Sequence, residues 1–180
     1  MEEENPVKKH LFEYIKKSEK KFQRLFTQET PNIIIKDIMN YCLDKIPQEN
    51  KEEHISVLAT GILHYILTNT MISSNRKVEF QGIQIDIVIP NLKTLEKDPK
   101  KAIIIYIPKT VNKKFIKKGI LQLEKIQPEK KNIWLVLSKE LNLDNKNFQI
   151  QKNGNFSEII FDIANFVNVQ DTNKLKILKI

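Results

Sequence analysis

The sequence predicts an α/β domain in which N-terminal helices pack on a small mixed β-sheet, and three observations carry that reading. Apolar residues recur at helical spacing as far as residue 69. The period then shortens to two through an isoleucine-rich stretch, as in a hairpin. Two apolar segments, 102–109 and 133–138, flank one further helical pattern, as in a parallel strand–helix–strand unit. At 180 residues the chain is long enough to bury a core, divided as a helical extension over 1–50 and an α/β body over 51–180.

Residues 6–27 read as one helix, with Pro6 in its first turn and Val7, Leu11, Phe22 and Leu25 on one stripe. A second helix spans 31–46, opened by Thr30-Pro31 and stopped by Pro47. A third spans 51–69 with Ile55, Leu58, Ile62 and Ile66 in register. Lys77 to Phe80, a Gln81-Gly82 turn and Ile83 to Ile89 form the hairpin. Alternation places Ile83, Ile85, Ile87 and Ile89 on one face and Gln84, Asp86 and Val88 on the other. Residues 92–101 read as a loop. Ala102 to Lys109 and Ile133 to Ser138 are apolar on both faces, the mark of strands covered on both sides. The helix between them, 111–127, turns Phe115, Ile116, Gly119, Ile120 and Leu123 inward. Phe148 to Gln151 is a short strand, Phe156 to Val167 a helix, and 168–180 carries no clear assignment.

Bulk composition narrows the function classes. No apolar run approaches the ~20 residues that span a bilayer, and the acidic Met1-Glu2-Glu3-Glu4 start is unlike a secretory signal. With a lone cysteine, Cys42, on an apolar helical face, these features lead us to expect a cytoplasmic protein that does not engage membranes. The net charge is +8, which favours a nucleic-acid partner, DNA before RNA. Yet of 30 Lys and Arg only Arg24 and Arg76 are arginines, the side chain best shaped for phosphate and guanine, so solvated lysines account for much of the charge. Lys113, Lys114, Lys117, Lys118 and Lys125 form a basic outer face on the helix at 111–127, able to track a phosphate backbone. His10, His54 and His64 lack the i, i+4 spacing that would place two imidazoles on one metal. There is no phosphate-cradling glycine loop.

Asp86 is the residue with most chemical interest, because an ionised carboxylate mid-strand is costly unless paired or metal-bound. A two-residue turn puts Phe80 opposite Ile83 and hence Lys77 opposite Asp86, which makes a cross-strand ion pair one reading. The other is a metal ligand.

The order of a helical lead-in, a hairpin whose second strand reads Ile85-Asp86-Ile87-Val88-Ile89-Pro90, and an apolar strand ending Ile105-Tyr106-Ile107-Pro108-Lys109 resembles the core of the PD-(D/E)XK, or restriction-endonuclease-like, superfamily over residues 51–138. The resemblance implies a metal-dependent phosphodiester hydrolase. Asp86 would then be a ligand to Mg2+ or Mn2+, Lys109 would orient water, and Glu53, or Glu52, would assist from the preceding helix. The family's second acid falls on Ile107 here, and Glu79 or Glu96 would have to replace it. That departure favours nucleic-acid binding without catalysis over hydrolysis. The rival expectation is an interaction or scaffold subunit of a larger assembly, or a homo-oligomer, docking through the N-terminal helices.

Overall fold

The computed structural model describes residues 5–177, with side chains as far as 170. Helices α1 (Pro6–Lys17), α2 (Glu19–Thr27), α3 (Pro31–Cys42) and α4 (Lys51–Asn69) precede strands β1 (Asn75–Phe80) and β2 (Ile83–Ile89). Helix α5 (Leu92–Lys97), β3 (Ile103–Tyr106), α6 (Lys113–Leu123), β4 (Ile133–Leu137), β5 (Asn147–Gln149) and α7 (Ile159–Ile177) follow. The five strands form one sheet in sequence order, antiparallel across β1–β2–β3 and parallel across β3–β4–β5. The fold class is therefore as the apolar patterning predicts, a hairpin followed by a parallel β3–α6–β4 unit.

The sheet separates two apolar layers. On one face Ile87, Ile89, Ile103, Ile105 and Ile107 pack with α1, α3, α4 and the start of α7. On the other, Ile85, Val88, Ile104 and Leu135 pack with Leu95 of α5 and with Ile116, Ile120 and Leu123 of α6. Helix α4 lies inside the first layer and buries residues around much of its circumference, which is why its apolar stripe is broad. Helices α1 and α3 bury Val7, Leu11, Ile34, Ile35 and Ile38 in that same layer.

Several elements differ from the sequence expectation for identifiable reasons. The helix read over 6–27 breaks at Ser18, whose N–H reaches the carbonyls of both Tyr14 and Ile15, so two helices arise from one stripe. The helix read over 31–46 ends at Cys42 and continues as one tighter turn, Leu43–Lys45. The loop at 92–101 contains α5, capped by the Asn91 side chain accepting from Thr94 N–H. Strand β3 stops at Tyr106, before Pro108, so Lys109 lies beyond the ladder. The final helix runs on to Ile177, covering most of the segment left unassigned.

One further difference places the site. Ile83 and Ile85 belong to the α6 layer, whereas Ile87 and Ile89 belong to the α4 layer. The alternation of β2 thus reverses at Asp86. In β1 the residue at the same register, Lys77, has a φ of 49°, a left-handed backbone that strands do not normally hold. Strict alternation cannot foresee a reversal shared by two paired strands. The Gln81-Gly82 turn itself is as read, with positive φ at both residues as a tight primed turn needs.

Candidate functional site

The site begins where β2 and β3 part. Their pairing runs Ile89↔Ile103, Val88↔Ile104 and Ile87↔Ile105 and ends there. Just past it, Asp86 Oδ2 accepts a hydrogen bond from the backbone N–H of Ile107 at 2.8 Å, so a carboxylate continues the ladder in place of a peptide carbonyl. Its other oxygen, Oδ1, lies 2.5 Å from Lys77 Nζ. The cross-strand ion pair is therefore formed as the hairpin register requires. The Ile107 carbonyl in turn accepts from Ser56 Oγ of α4 at 3.2 Å, so the backbone of this residue is held at both its N–H and its C=O. Ser56 was not singled out in the sequence; its signal is a hydroxyl inside the apolar stripe Ile55, Leu58, Ala59.

The N-terminal turn of α4 is tied to the same sheet edge. Glu53 Oε1 lies 3.1 Å from Lys109 Nζ, and Glu52 Oε2 accepts from Ser138 Oγ at the end of β4. Two of the family-derived residues, Glu53 and Lys109, are thus brought together, but as an ion pair with both side chains more than half exposed. Such a pair is screened and contributes at most about 1 kcal/mol. Asp86 is engaged elsewhere. Tyr106, on the opposite face from Ile107, has its phenol pushed above the usual range by burial and then by the Asp86 charge.

A divalent ion needs several converging oxygens. Here Asp86 offers two that already hold an ammonium and an amide, and Ile107, in the second-acid position, is 3% exposed in the apolar layer. Glu79 is hydrogen-bonded to its cross-strand partner Gln84 at 2.5 Å, and Glu96 sits on α5. Among the described residues no three His, Cys, Asp or Glu side chains are grouped to hold a metal. The residues present do not fit Mg2+ or Mn2+.

The basic face of α6 is exposed as expected: Lys113, Lys114, Lys117 and Lys118 all point to solvent, and Asn112 Oδ1 caps the helix by accepting from Lys114 N–H. Lys125 is exposed too, and donates to Gln122. Phe115 corrects the inward reading, since it is 62% exposed among those lysines. The helix turns Ile116 and Ile120 inward, and Gly119 faces Tyr106, which leaves Phe115 on the flank. Lys113 and Lys117 share a depression with Glu124 and Asp144, so part of this face is charge-balanced. His64 is exposed with its pKa lowered by desolvation and by Arg76, and His54 Nδ1 is buried without a hydrogen-bond partner among the described residues. Cys42 is buried in the core, its thiol pushed up to about 11 by desolvation.

No family model and no curated protein matches the sequence. Among solved structures, the chain is similar to that of a restriction endonuclease PspGI–substrate DNA complex, with a TM-score of 0.57 and 13% identity, over 90% of this chain and 93% of that one. No helix among the described residues is long and apolar enough to cross a membrane. The architecture is thus a restriction-endonuclease-like fold.

Proposed function

We propose that this chain binds nucleic acid, DNA in preference to RNA, on a restriction-endonuclease-like scaffold and leaves it uncleaved. One observation carries the second half: both oxygens of Asp86 are taken up internally, by Lys77 and by the Ile107 amide, while the second-acid position is a buried isoleucine. The first half is supported by the excess of cations, +8 overall, and by the solvent-facing lysines of α6. The structural neighbour was solved with its substrate DNA, which makes duplex the first probe to try. The scaffold alternative has less support, because most apolar residues of α1 and α3 are already taken up by the chain's own core, leaving only Phe12 and Ile33 exposed on those helices among the described residues.

The test is binding of a labelled DNA duplex across a salt series, paired with a cleavage assay in Mg2+ and in Mn2+. Four phosphate contacts would give a log–log salt slope of about −3 to −4. Metal-dependent cleavage that vanishes in Asp86→Ala would overturn the non-catalytic reading, and absence of binding at low salt would overturn the whole proposal.

A further inference from the structure

A cleft of about 560 Å³ runs between α1 and α4, beside the Lys77–Asp86 pair but separate from the α6 lysines. Its depth follows from a close helix crossing, since a Cβ on Gly61 of α4 would meet Leu11 of α1 at 2.5 Å. Three features of its lining point to one kind of occupant. Ser56, Thr60, His64 and Thr68 stand four residues apart along one wall, about 18 Å on a helix rising about 1.5 Å per residue; Ser56 and Thr60 are buried, and the three hydroxyls donate to the chain's own carbonyls, which leaves His64 as the exposed imidazole of that row. Lys8, Arg76, Lys77 and Lys109 rim the cleft, and no Asp or Glu among the described residues lines it. Phe12, 63% exposed, stands on the α1 side with Tyr65 across from it on α4. Of the four cations Lys77 and Lys109 already have carboxylate partners, whereas Lys8 and Arg76 make no ion pair among the described residues.

A cationic track beside an exposed aromatic ring is how proteins take single-stranded nucleic acid, phosphates on the charges and a base on the ring. An acyl anion would match the apolar floor but needs one cation at the cleft's end, whereas Lys8 and Arg76 both stand on the rim without an ion-pair partner among the described residues. We infer that the α1–α4 cleft receives one strand of nucleic acid, its phosphates drawn to Lys8 and Arg76, the rim cations that make no ion pair among the described residues, and a base stacking on Phe12. This inference rests on the nucleic-acid binding proposed above and narrows it to a strand and a surface. The exposed position of Phe12 also gives its side chain a use, since it adds nothing to the core.

The test compares fluorescence anisotropy of a labelled oligothymidylate strand with that of a duplex, for the whole protein and four variants. Phe12→Ala should weaken strand binding about five-fold or more, Phe12→Trp should retain it, and Arg76→Ala should weaken it and flatten its salt slope by about 0.7. Both side chains are exposed, so folding is checked simply by an unchanged melting temperature. Strand affinity unmoved by Phe12→Ala and Arg76→Ala, but lost when Lys113, Lys114, Lys117 and Lys118 are neutralised, would overturn the cleft assignment while leaving nucleic-acid binding standing. Equal loss of heparin binding in Phe12→Ala would also overturn it, because heparin has no base to stack. No binding of strand or duplex by any form would remove the underlying reading as well.

Discussion

Replacing Asp86 separates a structural carboxylate from one held ready for a cation. In Asp86→Ala two interactions go. The ion pair with Lys77 is the smaller, because Lys77 is 53% exposed and screened by solvent; it contributes about 0–1 kcal/mol. The larger is the Ile107 N–H, left without an acceptor at the parting of β2 and β3, at a cost of about 1–3 kcal/mol. The total centres near 2 kcal/mol, which for a chain of 180 residues is a fall in melting temperature of about 4–8 °C. Asp86→Asn keeps an oxygen for the Ile107 amide and loses only the charge, so its melting temperature should fall by no more than about 4 °C. Thermal unfolding of the three proteins, each with and without Mn2+, supplies the measurement. Added Mn2+ should leave the wild-type transition where it is, since a ligand that binds only the folded state would raise it. An Asp86→Ala protein as stable as the wild type, or a transition raised by Mn2+ in the wild type alone, would refute the structural assignment.

Three further outcomes follow from named contacts. Gly119→Ala should destabilise despite the ~1 kcal/mol helix-propensity gain, because its Cβ would sit 2.7 Å from Cζ of the Tyr106 ring, a rigid neighbour; overpacking of this kind costs about 1–3 kcal/mol, read by urea unfolding. Cys42 holds its proton in the folded state up to about 11 against an ordinary 9.0, so the unfolded chain loses that proton first and stability falls as pH rises through that window. The fall attributable to this group is at most about 2–3 kcal/mol, and Cys42→Ala should lack that part of it in paired urea titrations at pH 8 and 11. Ile107→Glu, which places an acid where the restriction-endonuclease-like resemblance expects one, should lower stability by several kcal/mol and gain no metal-dependent cleavage, because the new carboxylate would enter the apolar layer beneath α4.

Much of this arrangement is readable from residue order, and the unread parts share a cause. The Gln81-Gly82 turn sets the hairpin register, and that register alone brings Lys77 to Asp86. Two-sided apolar runs reveal β3 and β4, whereas the single stripe read over 51–69 does not show that α4 is interior. What escapes the sequence depends on tertiary closure. The reversal of β2 at Asp86 involves a partner strand and a third strand leaving the ladder, none of which a period of two encodes. Phe115 satisfies an inward helical position on paper, but α6 is rotated so that Gly119 can approach Tyr106, and the ring is turned out. The cation cleft is less legible still, since Lys8, Arg76 and Lys109 come from three distant segments.

The Lys77–Asp86 pair links the fold to the proposed binding without cleavage. At the point where β2 and β3 separate, an amide needs an acceptor, and a carboxylate is the short side chain that can reach it while keeping a second oxygen. A carboxylate only 18% exposed in turn needs positive charge beside it. In a hydrolytic member of this fold a divalent ion would meet that need and would require further acids to hold it. Here the charge comes from within the hairpin, on a residue whose left-handed φ occurs at the same register. With Lys77 in place, a second acid at 107 would bring excess negative charge into the apolar layer, which the buried isoleucine avoids. Lys77→Ala alone should therefore not create a metal site; it leaves one carboxylate, whereas binding Mn2+ would need Ile107 replaced at the same time. Isothermal titration of Mn2+ into Lys77→Ala would show no saturable heat, and a stoichiometric transition in that single variant would show that one carboxylate suffices.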